Sequence, residues 1–341
     1  MDVLRTHANS LALYYPVPVL EVSDLEVSFG DAKILRGVSF AVDAGETLGV
    51  VGESGCGKSM TGFAVMGMLQ SPGKVTRGSI RLNERELTTL KEREWLAVRG
   101  DEIALVMQDP FTSLNPMMRV GEQIAEALRL HQNMDKRAAW NRAVEILGQV
   151  GVPAPESSAS KYPHQMSGGQ RQRVVIGIAF ACKPKVLICD EPTTALDVTL
   201  QAQILRLIRD MAKVEQTAVI IISHDIGVIG ALADRIAVYY AGRIVELGTA
   251  EHVLRAPTHP YTRALLAALP RPGIDKLEAI SGQPPDLTKP IEGCAFSPRC
   301  PRKFEKCSSD PDLEQVKAGH VAACWLVNSA TTFSEPSSVS S

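Results

Sequence analysis

The chain has 341 residues, 45% of them hydrophobic and 22% charged, enough for a substantial core in one large domain or two ordinary ones. A formal net charge of -2 gives nucleic acid no electrostatic grip as a main partner, and no apolar run approaches the roughly 20 residues that a membrane-spanning helix needs. The opening MDVLRTHANS has no basic stretch followed by an apolar one, which predicts a cytosolic chain without a secretory leader, its seven cysteines reduced.

Residues 1–18 have no clear period and are expected to form a loose arm. From Val19 the alternation in LEVSDLEVSF, and then in ILRGVSFAV, predicts short antiparallel strands. Glu46 to Val51 is an apolar strand running straight into a glycine-rich turn, with a helix expected from Lys58 to before Ser71. Residues 115–165 are expected to be helical. Val120, Ile124 and Leu128 share one face there, and Val144, Leu147 and Val150 another. Lys185 to Cys189 and Ala218 to Ile222 are compact strands separated by a helix over Leu200 to Lys213, the pattern of a parallel sheet covered on both faces. Prolines 257, 260, 270, 272, 284, 285 and 290 then change the texture, with a helical piece from Tyr261 to Leu269, and a boundary is placed near 258. The tail from Asn328 has too little apolar content to fold.

The segment Gly52, Glu53, Ser54, Gly55, Cys56, Gly57, Lys58, Ser59 fits G-x-x-x-x-G-K-[ST]. Its glycines let successive N–H groups face a β-phosphate at a helix start, Lys58 reaches the β/γ oxygens, and the Ser59 hydroxyl suits Mg²⁺. Cys56 is read as a small filler, since a reactive thiolate would need activation by the helix end. The apolar strand before Asp190 and Glu191 ends in two carboxylates: Asp190 for magnesium, Glu191 to polarise an attacking water. Gln108 follows the strand Ile103 to Met107, and His224 ends the strand Val219 to Ser223. Each would be ordinary alone and gains meaning from the other. Ser167, Gly168, Gly169 and Gln170 precede the apolar helix Val174 to Ala181 and make a second anion-binding helix end. One nucleotide does not need two such ends. Two chains meeting head-to-tail would use both.

Taken together, residues 19–257 resemble the ABC transporter ATPase family. The resemblance covers Walker A (Gly52 to Ser59), the Q-loop (Gln108), the signature (Ser167 to Gln170), Walker B (Val186 to Asp190), Glu191, the D-loop (Ala195 to Asp197) and the switch His224, in the family's order. It implies an α/β P-loop fold with a RecA-like core, an antiparallel β subdomain and a helical subdomain over about 115–165. It also implies Phe29 stacked on adenine, Met60 and Asp197 beside the nucleotide, Gln108 touching Mg²⁺, and ATP with Mg²⁺ as ligands. Met166 stands where the family usually has Leu.

Cys294, Cys300, Cys307 and Cys324 lie in a polar, proline-laced segment with few apolar residues, which argues for a metal although the C-x2-4-C knuckle of structural zinc is missing. Pro257 to Arg263, Gly282 to Pro285, the Cys-x-Phe-x-x-Arg-Cys pattern at 294–300 and Asn115-Pro116 resemble the ATPase subunits of oligopeptide and dipeptide permeases, the D-type dipeptide subunits above all. That resemblance implies a small cysteine-rich extension over 258–327 with a [4Fe–4S] cluster on the four thiolates, zinc with His320 being the alternative. It further implies a second, non-identical ATPase subunit, two transmembrane permease subunits, an extracytoplasmic binding protein acting indirectly, and a peripheral place on the cytoplasmic face of the membrane. A nickel-chelate importer, a soluble ABC ATPase and a redox sensor gating ATP use are the competing readings. The soluble one is disfavoured, because only about a hundred residues separate Ser59 from Ser167 and a single ATPase module is present.

Overall fold

The computed structural model describes residues 17–194, 196–269 and 280–327. The arm up to residue 16, Ala195, prolines 270 and 272 and the tail from Asn328 lie outside the described residues. The alternation after Val19 becomes β1 (Leu20–Phe29) and β2 (Ala32–Val42), paired antiparallel, with Leu20, Val22, Leu25 and Val27 buried. The inward set slips by one at Asp24, whose φ of 50° marks the irregularity in the pairing. With β4 (Gly73–Leu82) and β5 (Arg85–Glu86) these strands form a sheet in the order β2-β1-β4-β5.

The second sheet holds the parallel core. Its strands are β3 (Thr47–Val51), β6 (Ile103–Val106), β7 (Val186–Asp190), β8 (Ala218–Ser223), β9 (Arg235–Tyr240), β10 (Arg243–Thr249), β11 (Glu314–Lys317) and β12 (His320–Ala322). Their order is β11-β12-β10-β9-β3-β8-β7-β6, with β9-β3-β8-β7-β6 parallel. β3, β7 and β8 read as unbroken apolar runs because both faces are covered. Val186, Ile188, Ile220 and Ile222 pack toward the antiparallel sheet, while Leu187, Cys189, Val219 and Ile221 pack toward the helices. Truncating one of these isoleucines to Ala would cost about 2–5 kcal/mol.

The helices follow in chain order: α1 (Lys58–Val65), α2 (Glu92–Val98), α3 (Pro110–Ser113), α4 (Val120–Gln132), α5 (Lys136–Gln149), α6 (Pro155–Ala159), α7 (Gly168–Phe180), α8 (Val198–Glu215), α9 (Ile226–Gly230), α10 (Ala250–Arg255) and α11 (Pro260–Ala267). The region expected to be helical over 115–165 is thus three α-helices, broken at Asn133, with a positive φ, and again after Gln149, before Gly151-Val152-Pro153. Val120, Ile124 and Leu128 are buried as the periodicity requires; on α5 the buried face is Ala139, Ala143, Ile146 and Leu147, with Val144 at its edge. α8 is explained end to end by its sequence. The Asp197 carboxylate accepts from Leu200 N at its start, Ile204, Leu205, Ile208 and Ala212 form one buried stripe, and Gln216 closes it with φ 54°.

After residue 258 the chain continues the main fold. β12 joins the sheet, Glu246 of β10 pairing with Ala322 and Leu247 with Val321. Phe296 is buried against Tyr240 and Tyr261, at ring-centroid distances of 5.3 and 5.5 Å. Among the described residues no helix is long and apolar enough to cross a membrane.

Candidate active site

β3 delivers the chain into residues 52–57, and α1 leaves from Lys58, so the glycine-rich loop wraps the N-terminal end of a helix. Two of its glycines are required by space as well as by conformation. Gly52 has φ 154°, and a Cβ there would lie 2.3 Å from the Tyr239 carbonyl oxygen. Gly57 has φ 101°, and a Cβ would lie 2.7 Å from Leu35 Cδ2. Ser54 and Gly55 are exposed at the loop's crest, and Met60 is half-buried in the first turn of α1.

Lys58 is buried, and its ammonium donates to the Gly52 and Glu53 carbonyls at 2.8 and 2.9 Å. The loop's own backbone therefore holds the cation beside the helix end. Cys56 is 6% exposed, and burial pushes its thiol up despite the charge of Lys58 3.8 Å away. Such a thiol is inert, in keeping with a filler.

The ends of β6, β7 and β8 converge on the same place. Ser59 Oγ donates to Asp190 Oδ1 at 2.9 Å, joining the first turn of α1 to the tip of β7. Burial pushes the Asp190 carboxyl up, the Ser59 hydrogen bond opposes that, and Glu191 adds to the rise while Lys58 subtracts from it. Glu191 has φ 46°, and its N–H donates to the Ile222 carbonyl at 3.0 Å, turning its carboxylate out of the strand. That carboxylate accepts from Gln108 Nε2 at 3.0 Å and Thr194 Oγ1 at 2.8 Å, and Oε1 meets His224 Nδ1 at 3.3 Å. Burial alone would raise its pKa. The hydrogen bonds of Thr194 and His224, with the charges of His224 and Lys58, outweigh burial and hold the carboxyl below its ordinary range. Gln108, Glu191 and His224, distant in sequence, are therefore one bonded network, and Thr194 is a member that sequence reasoning missed. A lone threonine three residues after an acid carries no signal of its own.

Other expected residues stand apart. Ser167 caps α7 in a reciprocal box: its Oγ accepts from Gln170 N at 3.3 Å, and Gln170 Oε1 accepts from Ser167 N at 3.1 Å. A Cβ on Gly169 would lie 2.5 Å from Leu200 Cδ2, so the small residue lets α7 approach α8. Among the described residues no hydrogen bond or ion pair joins this helix end to the glycine-rich loop within one chain. Asp197 is occupied as the cap of α8, and Phe29 packs over Gly73, where a Cβ would be 2.4 Å from its ring.

Cys294, Cys300, Cys307 and Cys324 line one small pocket walled by Phe296, Phe304 and Trp325. Burial pushes the Cys294 thiol up to about 11, its neighbours Cys307 and Cys324 adding to the rise, and Cys300 and Cys324 are raised as well. The Arg302 N–H donates to Cys300 Sγ at 3.4 Å. As the side chains stand, no group of three or more His, Cys, Asp or Glu among the described residues is placed to hold a metal ion. His320 does not line this pocket; its Nε2 meets the buried Glu246 at 2.7 Å.

Residues 35–194 match a family model described as ABC transporter, and residues 245–307 match one described as oligopeptide/dipeptide transporter, C-terminal region. The oligopeptide transport ATP-binding protein OppD of Bacillus subtilis is 48% identical over 327 residues, covering 93% of this chain and 91% of that protein. OppD of Escherichia coli is 46% identical (95% and 98% covered), and the dipeptide transport ATP-binding protein DppD of B. subtilis is 45% identical (90% and 94% covered). Among solved structures, the dimeric bacterial ABC transporter cassette MJ0796 is 26% identical with a TM-score of 0.60, covering 68% of this chain and 98% of its own. CbiO1 of Clostridium perfringens, part of the transporter complex cbiONQ, is 26% identical with a TM-score of 0.63, covering 71% and 92%.

Proposed function

Since the chain belongs to the ABC transporter family, among its oligopeptide and dipeptide ATP-binding subunits, we propose that it is the ATP-hydrolysing subunit of a peptide importer, one half of a dimer enclosing two ATP molecules. Residues 19–257 are the ATPase domain and 258–327 the permease-type extension. The observation that carries the reading is the convergence of Lys58, Ser59 and Asp190 with the Gln108–Glu191–His224 network at one end of the parallel strands.

The residues divide the work by chemistry. Residues 52–59 offer backbone N–H groups and the Lys58 ammonium to the β- and γ-phosphates, and Phe29 receives the adenine. The Ser59 hydroxyl and Asp190 carboxylate, already in contact, are hard oxygen donors that fit magnesium, with Gln108 beside them. Magnesium, when bound, neutralises charge on the phosphate oxygens. Glu191, ionised at neutral pH, accepts a proton from the water that attacks the γ-phosphorus; the new P–O bond replaces the one to the bridging oxygen, and ADP leaves with that electron pair. Gln108, Thr194 and His224 fix both oxygens of Glu191 for that transfer. Ser167 to Gln170 of one subunit, the start of α7, closes on the triphosphate held by the other. Asp197 lies at the same seam.

Two permease subunits dock beside Gln108 and the helices over 115–165, where Phe111 and Met117 leave apolar surface exposed, 57% and 83% respectively. The subunit is thereby held at the cytoplasmic face of the membrane. A non-identical second ATPase subunit completes the dimer. The four thiols that share one pocket support a [4Fe–4S] cluster held by Cys294, Cys300, Cys307 and Cys324, whose apolar walls limit solvent access. Iron and sulfide assays on anaerobically purified protein should find both; zinc alone would reverse that assignment.

The test of the function is magnesium-dependent ATP hydrolysis by the purified chain and ATP-driven peptide uptake by the reconstituted complex. Lys58→Ala should abolish nucleotide binding and uptake together. A wild-type complex that neither binds nor hydrolyses ATP would overturn the proposal.

A further inference from the structure

Glu53, the second residue of the glycine-rich loop, is held at both its main chain and its carboxylate by residues from beyond position 258. Its N–H donates to Tyr261 Oη at 2.9 Å, and Tyr261 is fully buried. Its carboxylate takes a two-pronged pair from Arg299, Nη1 to Oε2 at 2.7 Å and Nη2 to Oε1 at 2.9 Å. The Arg299 side chain is 4% exposed. Its other N–H groups reach Tyr240 Oη at 3.2 Å, the Ser281 carbonyl at 2.8 Å and the Ile280 carbonyl at 3.4 Å. All five guanidinium hydrogens therefore have partners, in a geometry no other side chain reproduces.

Two independent elements, α11 and the short turn Ser297–Arg299, thus meet on one loop residue. Lys58 depends on the same residue, because its ammonium donates to the Glu53 carbonyl. Phe296 buttresses both elements by packing on Tyr240 and Tyr261. A loop that binds phosphate through successive N–H groups works only if those groups are pre-aligned, and the loop's crest at Ser54 and Gly55 is itself exposed.

We propose that Arg299 and Tyr261 are positioning residues for nucleotide binding: the C-terminal extension clamps Glu53 and so sets the shape of the phosphate-binding loop from outside the ATPase domain. The inference rests on residues 52–59 being the ATP site. Since the clamp acts on the loop and leaves the Gln108–Glu191–His224 network untouched, its loss weakens ATP binding more than it slows hydrolysis once ATP is bound.

The experiment measures the affinity of the full chain for a fluorescent ATP analogue, and KM and kcat for ATP, in the wild type, Arg299→Ala, Arg299→Lys, Tyr261→Phe, Glu53→Ala and the Glu53→Ala/Arg299→Ala pair, each checked for folding by circular dichroism. Arg299→Ala should weaken binding on the order of ten-fold and raise KM in step, with kcat within about two-fold of wild type. Arg299→Lys should recover only part of this, a single ammonium being unable to span both carboxylate oxygens. In the Glu53→Ala background, Arg299→Ala should add nothing further. A folded Arg299→Ala protein with wild-type affinity, or additive effects in the double variant, would overturn the proposal. If Arg299→Ala does not fold, unchanged affinity in both Arg299→Lys and Tyr261→Phe does so instead. A wild type that binds no ATP would instead overturn the reading of the site itself.

Discussion

His259 is the place where pH should act on the stability of this fold. It is fully buried, its Nδ1 accepts from Tyr261 N at 3.0 Å to cap α11, and its backbone N–H donates to the buried Glu246 carboxylate at 3.0 Å. An acceptor at Nδ1 cannot carry a proton, and burial brings the pKa down from 6.5 to about 4 against the opposing pull of Glu246. The unfolded chain, titrating near 6.5, binds a proton in the window between about 6.5 and 4 where the folded chain does not, so stability falls as pH drops through that window. A 2.5-unit gap corresponds to ~3 kcal/mol in all, of which ~2 kcal/mol would be lost between pH 7.5 and 5. His259→Asn keeps an acceptor for the helix cap but does not titrate. Urea unfolding of the two proteins at a series of pH values isolates the effect, because every other titrating group is common to both. The wild-type curve should fall more steeply than the variant's below pH 6.5. Parallel curves over this range would refute the assignment of His259 as a neutral, buried cap.

Gly52→Ala should lose nucleotide binding in an equilibrium titration, since the added carbon meets the Tyr239 carbonyl at 2.3 Å and would force the loop out of shape. Cys56 should react with iodoacetamide at pH 8 at least ten-fold more slowly in the folded than in the unfolded chain, and Cys56→Ser should keep ATPase activity within about two-fold. Phe296→Ala should cost about 3–5 kcal/mol in urea unfolding, because its ring fills the space between Tyr240, Tyr261 and His259.

The elements around the glycine-rich loop were legible because their signals are local. A strand, a glycine-rich loop and a lysine at a helix start lie within a dozen residues, and the apolar runs ending at Asp190 and Ser223 place Glu191 and His224 on neighbouring strand ends. Burial on both sheet faces explains why those runs show no alternation. Distance in the chain conceals the rest. Glu53 and Arg299 are 246 residues apart, and Glu246 and His320 are 74 apart. The short strands β11 and β12, at most four residues each, carry no periodicity that distinguishes them from loop, although they complete the sheet edge. Arg299 was visible inside the Cys-x-Phe-x-x-Arg-Cys pattern, but nothing local says that its partner is the glycine-rich loop.

The central claim, that Glu191 removes the proton from the attacking water within a two-chain site, is tested most directly by Glu191→Gln. The amide keeps the shape and can still bond to Gln108, Thr194 and His224, but it cannot take a proton. Size-exclusion chromatography of the variant with ATP and magnesium, together with its hydrolysis rate, should reveal an ATP-bound dimer, formed with its partner ATPase subunit where that is required, and turnover reduced by about 10²-fold or more. Near-normal hydrolysis, or ATP retained on a chain that never dimerises, would contradict it.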